Sequence, residues 1–202
     1  MPRNGSATRQ RILDAAQRLV IENGYSATSL DRVIAESATS KGSFFHHFAS
    51  KDDLARALVD RYAAADLAQL HEALDATAGI DDPAERVLAF VAWFENDAEQ
   101  NMTPESNCLY ISVLTERELV ERGTSDQILA AIVAWRDALA ALLRAALRSG
   151  SAINAEALAD HVFVTFEGAF ILCRATGDPG HMRRQLRVLR QLLDALLAVG
   201  AE

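Results

Sequence analysis

Apolar residues recur at steps of three and four positions along most of this chain, and short runs rich in Gly, Pro, Asn or Ser interrupt the pattern. Such spacing places apolar side chains on one face of an α-helix. The β-branched residues are scattered and never alternate over the length of a strand. With 202 residues, of which 50% are apolar and 24% charged, the chain can bury a sizeable core. The pattern predicts an all-α fold of eight or nine helices.

The interruptions divide the chain into helices of unequal length. Short helices are predicted at residues 8–22, 30–35 and 41–47, with Thr28 or Ser29 able to cap the second, and a long helix runs from 51 to about 74. Later helices are predicted at residues 84–99, 107–120, 128–147, 155–176 and 181–199. Helix, short turn, helix is the arrangement that DNA-binding helix-turn-helix units use.

Charge is distributed unevenly along the chain. The net charge is −8, yet the residues up to Arg56 include 8 Lys and Arg against 6 Asp and Glu, a balance of +2. The remainder holds 12 basic and 22 acidic residues, a balance of −10. This asymmetry indicates that the basic N-terminal segment carries out the function. We call the residues after Arg56 the acidic body.

The sequence predicts neither a membrane span nor a secretory signal. No run of about eighteen uncharged residues occurs, and the N-terminus has no apolar signal region, so we expect a cytoplasmic protein without membrane association. Cys108 and Cys173 form no C-x-x-C pair, and burial is a commoner fate for such cysteines than redox sensing.

No catalytic, cofactor or metal site is predicted. Adjacent residues such as His46 and His47 point about 100° apart on a helix and chelate one ion poorly, whereas His71 and Asp75 are more simply a solvated contact. The sequence contains no nucleophile elbow, H-E-x-x-H motif or phosphate-binding glycine loop, so we do not expect an enzyme.

Residues 8–54, TRQRILDAAQRLVIENGYSATSLDRVIAESATSKGSFFHHFASKDDL, carry the most specific signal. Its pieces Gly24-Tyr25, Thr28-Ser29, Ser40-Lys41-Gly42 and the aromatic-X-His-Phe ending at Phe48 follow in an ordered spacing. In this the segment resembles the DNA-binding domain of the TetR family of bacterial transcription regulators. The resemblance implies a three-helix helix-turn-helix domain at residues 1–50, joined by a long helix to an α-helical ligand-binding and dimerisation domain at residues 51–202.

The third helix has the chemistry for binding DNA. Polar side chains at its start can meet phosphates and base edges, and Gly42 leaves the helix bare for close approach to the major groove. Phe44 and Phe48 are predicted to anchor it in the core, and the resemblance implies phosphate contacts for His47 and Lys51. The predicted DNA-binding residues are Thr28, Ser29, Arg32, Ser40, Lys41, Gly42, Ser43, Phe45, His46, His47 and Lys51.

Three positions depart from the family pattern. Phe45 stands where the family usually has a tyrosine whose hydroxyl reaches a phosphate, so that bond is lost. Ala38 replaces the usual turn glycine and costs roughly 1 kcal/mol if its φ is positive. Thr39 stands at a position that is commonly valine, and its hydroxyl could cap the third helix.

The aromatic and polar residues of the acidic body are open to two interpretations. Most of the aromatic ones are core in any helical fold, yet a bundle that holds a small molecule lines its cavity with such residues and a few polar groups. The candidate ligand-binding residues are Trp93, Phe94, Asn107, Tyr110, Ser112, Thr115, Trp135, Phe163, Phe166, Glu167 and Phe170.

Two wide apolar stripes lie near the C-terminus. Either they are buried within one chain or, as the resemblance implies, they pack across a two-fold axis and give a homodimer with two DNA-binding domains. The candidate dimer-interface residues are Leu158, Val162, Phe166, Ala169, Phe170, Leu186, Leu189, Leu193 and Leu196.

The sequence thus predicts a homodimeric transcription regulator, most simply a repressor that binds a palindromic double-stranded DNA operator and is released by a small-molecule inducer. A DNA-binding activator or a ligand-independent regulator would share every feature of the N-terminal segment. A helical enzyme without DNA binding would need converging acid/base or metal residues, which the sequence does not show.

Overall fold

The computed structural model describes residues 3–96, 98 and 125–198. Every element within these ranges is an α-helix, which confirms the predicted fold class. The eight described helices are α1 Arg3–Asn23, α2 Leu30–Glu36, α3 Lys41–His47, α4 Lys51–Ala76, α5 Pro83–Asn96, α6 Ser125–Ala146, α7 Ala155–Thr176 and α8 Gly180–Ala198. The helix predicted at residues 107–120 lies outside the described residues. None of the eight combines the length and apolar character needed to cross a bilayer.

The described residues form two compact units, and the division falls inside α4 and again inside α6. Unit 1 contains residues 3–65 and 125–130, and unit 2 contains residues 66–96, 98 and 131–198. Helices α4 and α6 therefore each contribute residues to both units. The functional boundary after residue 50 stays a prediction.

Side-chain caps set the starts of the short helices in unit 1. Ser29 caps α2 and Ser40 caps α3: the Oγ of each accepts the backbone N–H three residues later, at 3.3 Å and 3.1 Å. These bonds satisfy N–H groups that the first turn of a helix leaves without a partner. The cap predicted at Thr39 is wrong, because its hydroxyl pairs with the Oγ of Ser37 at 2.8 Å and Ser40 occupies the cap position.

The turn between α2 and α3 contains a left-handed alanine. Ala38 has φ of +50°, which fulfils the condition on which the predicted strain depends. Its N–H donates to the carbonyl of Ala35 at 3.1 Å, and the N–H of Thr39 donates to the carbonyl of Ile34 at 3.2 Å. This pair of bonds is a Schellman motif, whose left-handed position usually holds glycine because a Cβ there crowds the following carbonyl.

Replacing Ala38 by glycine is expected to raise the free energy of unfolding of unit 1 by about 1 kcal/mol. The relief of the Cβ clash exceeds the entropy that a glycine adds to the unfolded chain. Urea denaturation followed by far-UV circular dichroism measures the change. Ala27→Gly is the control, since Ala27 is also exposed in a turn but lacks a positive φ. A loss of stability in both variants would contradict the prediction.

Within unit 1, one arginine joins α4 to α1. The guanidinium of Arg61 donates to the carboxylate of Asp14 at 2.6 Å and to the carbonyl of Leu13 at 3.2 Å, and it also bonds the side chain of Gln17. The apolar face of α1 is buried, as its spacing predicts. Its buried residues include Ile12, Leu13, Ala15, Ala16, Leu19 and Val20.

Unit 2 is built around an apolar core to which each of its helices contributes, and α8 packs against both α5 and α7. Pro83 is the first residue of α5, one position before the predicted start at residue 84, and a proline there loses no needed N–H. Asn154 caps α7, and Gly177, with φ of +72°, ends it. These local signals explain why the predicted helix 155–176 coincides with α7.

Candidate functional site

Helix α3 has one buried face that fixes it in unit 1. Phe44 is 0% exposed, and Phe48, the C-terminal cap residue, is 2% exposed. Their ring centroids lie 5.8 Å apart, and the guanidinium of Arg9 in α1 lies 5.1 Å from the centroid of the Phe48 ring. As predicted, the two phenylalanines anchor the helix.

The opposite face of α3 is open to solvent. Its exposed residues are Lys41, Gly42, Phe45 and His46, while Ser43 and His47 are half-buried. The exposed residues are neighbours because positions three and four apart share one side of a helix. A Cβ added at Gly42 would meet no atom within 4 Å, so the backbone there is bare. The face therefore combines an amine, an imidazole, an aromatic ring and uncovered backbone.

Basic side chains border this face. The side chain of Lys41 is 72% exposed, and its Nζ lies 3.8 Å from Oδ1 of Asp31, whose side chain is 85% exposed. An ion pair this exposed contributes only about 0–1 kcal/mol, so Lys41 can exchange Asp31 for a phosphate at little cost. Ser29 and Arg32, from the start of α2, are exposed as well, and α2 packs against α3.

Thr28 differs from the other predicted DNA-binding residues. Its side chain is 2% exposed, and its Oγ1 donates to the carbonyl of Gly24 at 2.8 Å. The N–H of Thr28 donates to the carbonyl of Tyr25 at 3.1 Å. Thr28 therefore shapes the turn between α1 and α2. We correct its predicted role, because a side chain buried in this turn cannot present its hydroxyl to DNA.

Lys51 lies against the turn that follows α1, and His47 lies against α1 itself. Lys51 Nζ donates to the carbonyl of Tyr25 at 2.8 Å and lies 4.1 Å from the centroid of the Tyr25 ring, so the start of α4 is held against the turn after α1. His47 lies beside the N-terminal part of α1, since a Cβ added at Gly5 would be 3.8 Å from its Cε1. The phosphate contacts that the resemblance implies for both residues stay predictions.

Two protein-family models match the sequence of this chain. Residues 12–58 match the model of bacterial regulatory proteins of the tetR family, and residues 83–189 match the tetracyclin repressor-like C-terminal domain. The second match alone covers more than half of the chain. The chain belongs to the TetR family. Its N-terminal part is thus the helix-turn-helix DNA-binding domain of this family, which confirms the resemblance seen in the sequence.

Individual relatives of this TetR-family chain are regulators rather than enzymes. It is 30% identical over 89 residues to the transcriptional regulator UidR of Escherichia coli K12, covering 44% of this chain and 45% of UidR. It is 29% identical over 109 residues to the transcriptional repressor NemR of the same strain, covering 54% and 53%. The chain thus spans about half the length of these curated relatives.

A solved structure supports the fold over a longer range. The crystal structure of a TetR-family transcriptional regulator from Agrobacterium tumefaciens aligns with a TM-score of 0.74 at 25% identity. The alignment covers 93% of this chain and 98% of that one.

In unit 2 of this TetR-family chain, several predicted ligand-binding residues form one aromatic cluster. Phe94, Trp135 and Phe166 are 6% to 8% exposed, and the ring centroid of Phe94 lies 5.4 Å from that of Trp135 and 5.2 Å from that of Phe166. Trp135 Nε1 donates to Asp66 at 2.7 Å. The partly buried residues packed against the same core include Trp93, Phe163 and Phe170. The structure brings these six aromatic residues together as core.

The polar candidates for ligand binding are placed differently. Glu167 is half-buried on α7. Two open depressions of about 560 Å³ and 350 Å³ surround the segment between α6 and α7, and neither is lined by a predicted ligand-binding residue. Four candidates lie outside the described residues, namely Asn107, Tyr110, Ser112 and Thr115.

Most of the predicted dimer interface is buried inside one chain. Phe166 is 8% exposed, and the residues that are 1% to 3% exposed are Val162, Ala169, Leu186, Leu189 and Leu193. Side chains that already pack within unit 2 cannot also face a second copy. The structure therefore corrects the interface at these six positions in favour of burial within one chain, whereas Leu158, Phe170 and Leu196 are half-buried.

The same two helices carry exposed apolar residues on their other faces, which the sequence analysis missed. On α7, Val164 is 62% and Ile171 51% exposed; on α8, Val188 is 47% and Leu192 59% exposed. We call these four residues the α7–α8 strip. The seven-residue and four-residue spacings place each pair on one side of its helix. The signal was present in the sequence, because a helix with apolar residues on two faces has more than one surface to cover.

A buried carboxylate joins α8 to α5 and also escaped the sequence analysis. The side chain of Glu95 is 7% exposed, and its two oxygens accept from Nε of Arg187 and Nε of Arg190, both at 2.9 Å. Burial alone raises the pKa of the Glu95 carboxyl, but the two arginine hydrogen bonds and charges outweigh it and hold this pKa below its ordinary value. The partners lie 92 and 95 residues further along the chain, so no local pattern reveals them.

Proposed function

We propose that this chain is a repressor that binds a palindromic operator as a homodimer and leaves it when a small molecule binds to unit 2. The observation that carries the proposal is the exposed face of α3, with the amine of Lys41 beside the bare backbone of Gly42. Because Phe44 and Phe48 anchor its other side, the helix can enter the major groove as a rigid element. Such a regulator works on DNA and hence in the cytoplasm.

The proposed DNA contacts divide by chemistry. Hydroxyl and cationic side chains at the edge of the face suit phosphates, which fix the position of the protein, whereas residues at its centre suit base edges. The proposed phosphate-binding residues are Ser29, Arg32, Ser40, Lys41, His47 and Lys51. The proposed groove-facing residues are Gly42, Ser43, Phe45 and His46.

The α7–α8 strip supports the homodimeric part of the proposal. Exposed apolar side chains that share helix faces are typical of surfaces that another protein covers. Two copies related by a two-fold axis would bury the strip against itself, since α7 and α8 pack against each other in each chain. A two-fold dimer presents its two DNA-binding domains to inverted half-sites, which is why we propose a palindromic operator.

The effector part of the proposal rests on the aromatic cluster and on the match of residues 83–189 to a tetracyclin repressor-like domain. We propose that an apolar molecule binds beside Trp93, Phe94 and Trp135. An effector acts only if it binds one arrangement of the protein more tightly than another. Helix α4, which contributes to both units, is the proposed element of transmission. DNA and effector must then weaken each other's binding by the same factor.

Selection of duplexes from a random double-stranded DNA library by the purified protein tests the proposed function. We expect an inverted repeat to be enriched and to bind with a Kd on the order of 10 nM or below at physiological salt, as measured by fluorescence anisotropy. Enrichment of no sequence, by a protein that circular dichroism shows to be folded, would overturn the proposal.

Replacing Lys41 by alanine is expected to weaken binding to the selected duplex and to reduce the slope of log Kd against log salt by about 1 per subunit. The reason is that each lost phosphate contact no longer releases a counterion. Asp31→Asn provides the matched control, because it breaks the same ion pair but removes a negative charge from beside the DNA. It should leave affinity unchanged or increase it. A Lys41 variant with an unchanged salt slope would contradict the assignment.

A further inference from the structure

The exposed face of α3 carries an apolar group that phosphate binding does not explain. Phe45 is 45% exposed, and among residues 5–65 it is the one large apolar side chain open to solvent. Its ring meets the buried ring of Phe44 edge-on, with centroids 5.4 Å apart and an interplanar angle of 85°. The Phe45 ring is thus braced from below while its outer part is accessible.

The surface of α3 next to Phe45 is open. Gly42 lies three residues earlier on the same side of α3, and no atom comes within 4 Å of the position of an added Cβ there. Lys41 and His46, also exposed, flank the pair. A phenyl ring next to bare backbone offers room for a methyl-sized group, and the cationic and imidazole groups at its border suit a polyanion that carries such a group.

Duplex DNA presents one methyl group among its four standard bases. The C5-methyl of thymine projects into the major groove, and apolar side chains, Phe among them, recognise it by contact. We propose that Phe45 is a specificity-determining residue that packs against the C5-methyl of one thymine in each half-site. This inference rests on the proposed function, because it requires α3 to enter the major groove.

Uracil substitution isolates the methyl group, since deoxyuridine pairs as thymidine does but lacks the C5-methyl. The probes are the duplex selected by the protein and a series in which each thymine in turn is replaced by uracil. For the wild-type chain we expect one position per half-site at which uracil weakens binding about fourfold, and about the square of that factor when both half-sites are changed. Restoring that thymine in an otherwise uracil-containing duplex should restore the affinity.

Variants of Phe45 then assign the effect to a residue. Phe45→Ala should bind the thymine and uracil duplexes equally, whereas Phe45→Leu, which keeps an apolar side chain, should retain part of the discrimination. Ile153→Ala is the control, because Ile153 is 38% exposed between α6 and α7 and should leave the wild-type pattern unchanged. Circular dichroism and thermal melting establish that each variant is folded.

The outcomes separate this inference from the proposed function. If the library yields no enriched sequence, the proposed function fails, and this inference with it. If a duplex is selected but lacks a thymine in its half-sites, or if uracil has no effect, only the inference is overturned. It is also overturned if Phe45→Ala weakens every duplex equally and preserves the uracil penalty, because Phe45 would then contact the DNA backbone.

Discussion

Truncation of Phe44 to alanine is expected to lower the free energy of unfolding of unit 1 by about 3–5 kcal/mol. The ring is fully buried and packs against Phe48, so its removal leaves a cavity and withdraws apolar surface that folding had buried. Helix α3 has only 7 residues, and a helix that short is not stable without tertiary packing. Specific DNA binding should therefore be lost together with the ordered helix.

Amide hydrogen exchange is the appropriate measurement because it resolves the two units. Exchange protection in residues 5–50 should fall sharply in the Phe44→Ala variant. Both tryptophans of the chain, Trp93 and Trp135, belong to unit 2, so tryptophan fluorescence during urea denaturation reports on that unit separately.

Phe45→Ala is the matched control for Phe44→Ala, since the adjacent residue is of the same type but faces solvent. It loses mainly the edge-on contact with Phe44, and we expect a cost of about 1 kcal/mol or less. Equal losses of stability in the two variants would contradict the assignment of one ring to the core and the other to the surface.

The structure of the helix-turn-helix segment was largely predictable because its signals are local. Ser29 and Ser40 lie at the cap positions, and Gly24, with φ of +83°, follows the last residue of α1. Gly42, Phe45 and His46, at steps of three and four, share the exposed side of α3, whereas Phe44 and Phe48 share the buried side, as helical spacing predicts. Thr28 was mispredicted because a hydroxyl suits DNA and a turn equally well, and the residue type does not say which partner it takes.

The orientation of α7 and α8 could not be predicted from their sequences. Both helices have apolar residues on two faces, and one face of each packs inward against the rest of unit 2. The choice between the faces depends on residues far along the chain. Glu95 of α5, for example, pairs with Arg187 and Arg190 and thereby fixes which side of α8 meets α5.

Replacing Leu192 by aspartate is expected to raise the dissociation constant of the proposed homodimer by at least about 100-fold. Two-fold symmetry makes one substitution count twice, because both copies place a carboxylate in the same apolar interface. The fold of each chain should persist, since Leu192 is 59% exposed and contributes little to the core. Sedimentation velocity over a range of protein concentrations measures the change.

Leu129→Asp is the matched control for Leu192→Asp, because Leu129 is 60% exposed on α6 and lies outside the α7–α8 strip. It should leave the dimer intact. A Leu192→Asp variant that remains dimeric at the wild-type concentration would contradict the assignment of the strip to the interface.

The Leu192→Asp variant also separates dimerisation from DNA recognition. A dimer binds its second half-site at a high effective concentration, and that advantage is on the order of 10²–10⁴ in affinity. A folded monomer should therefore lose most of its affinity for the inverted repeat, yet bind an isolated half-site as weakly as the wild-type chain does. If the monomer bound the full repeat with wild-type affinity, a single DNA-binding domain would be enough for full affinity. Dimerisation through the α7–α8 strip would then not explain a palindromic operator.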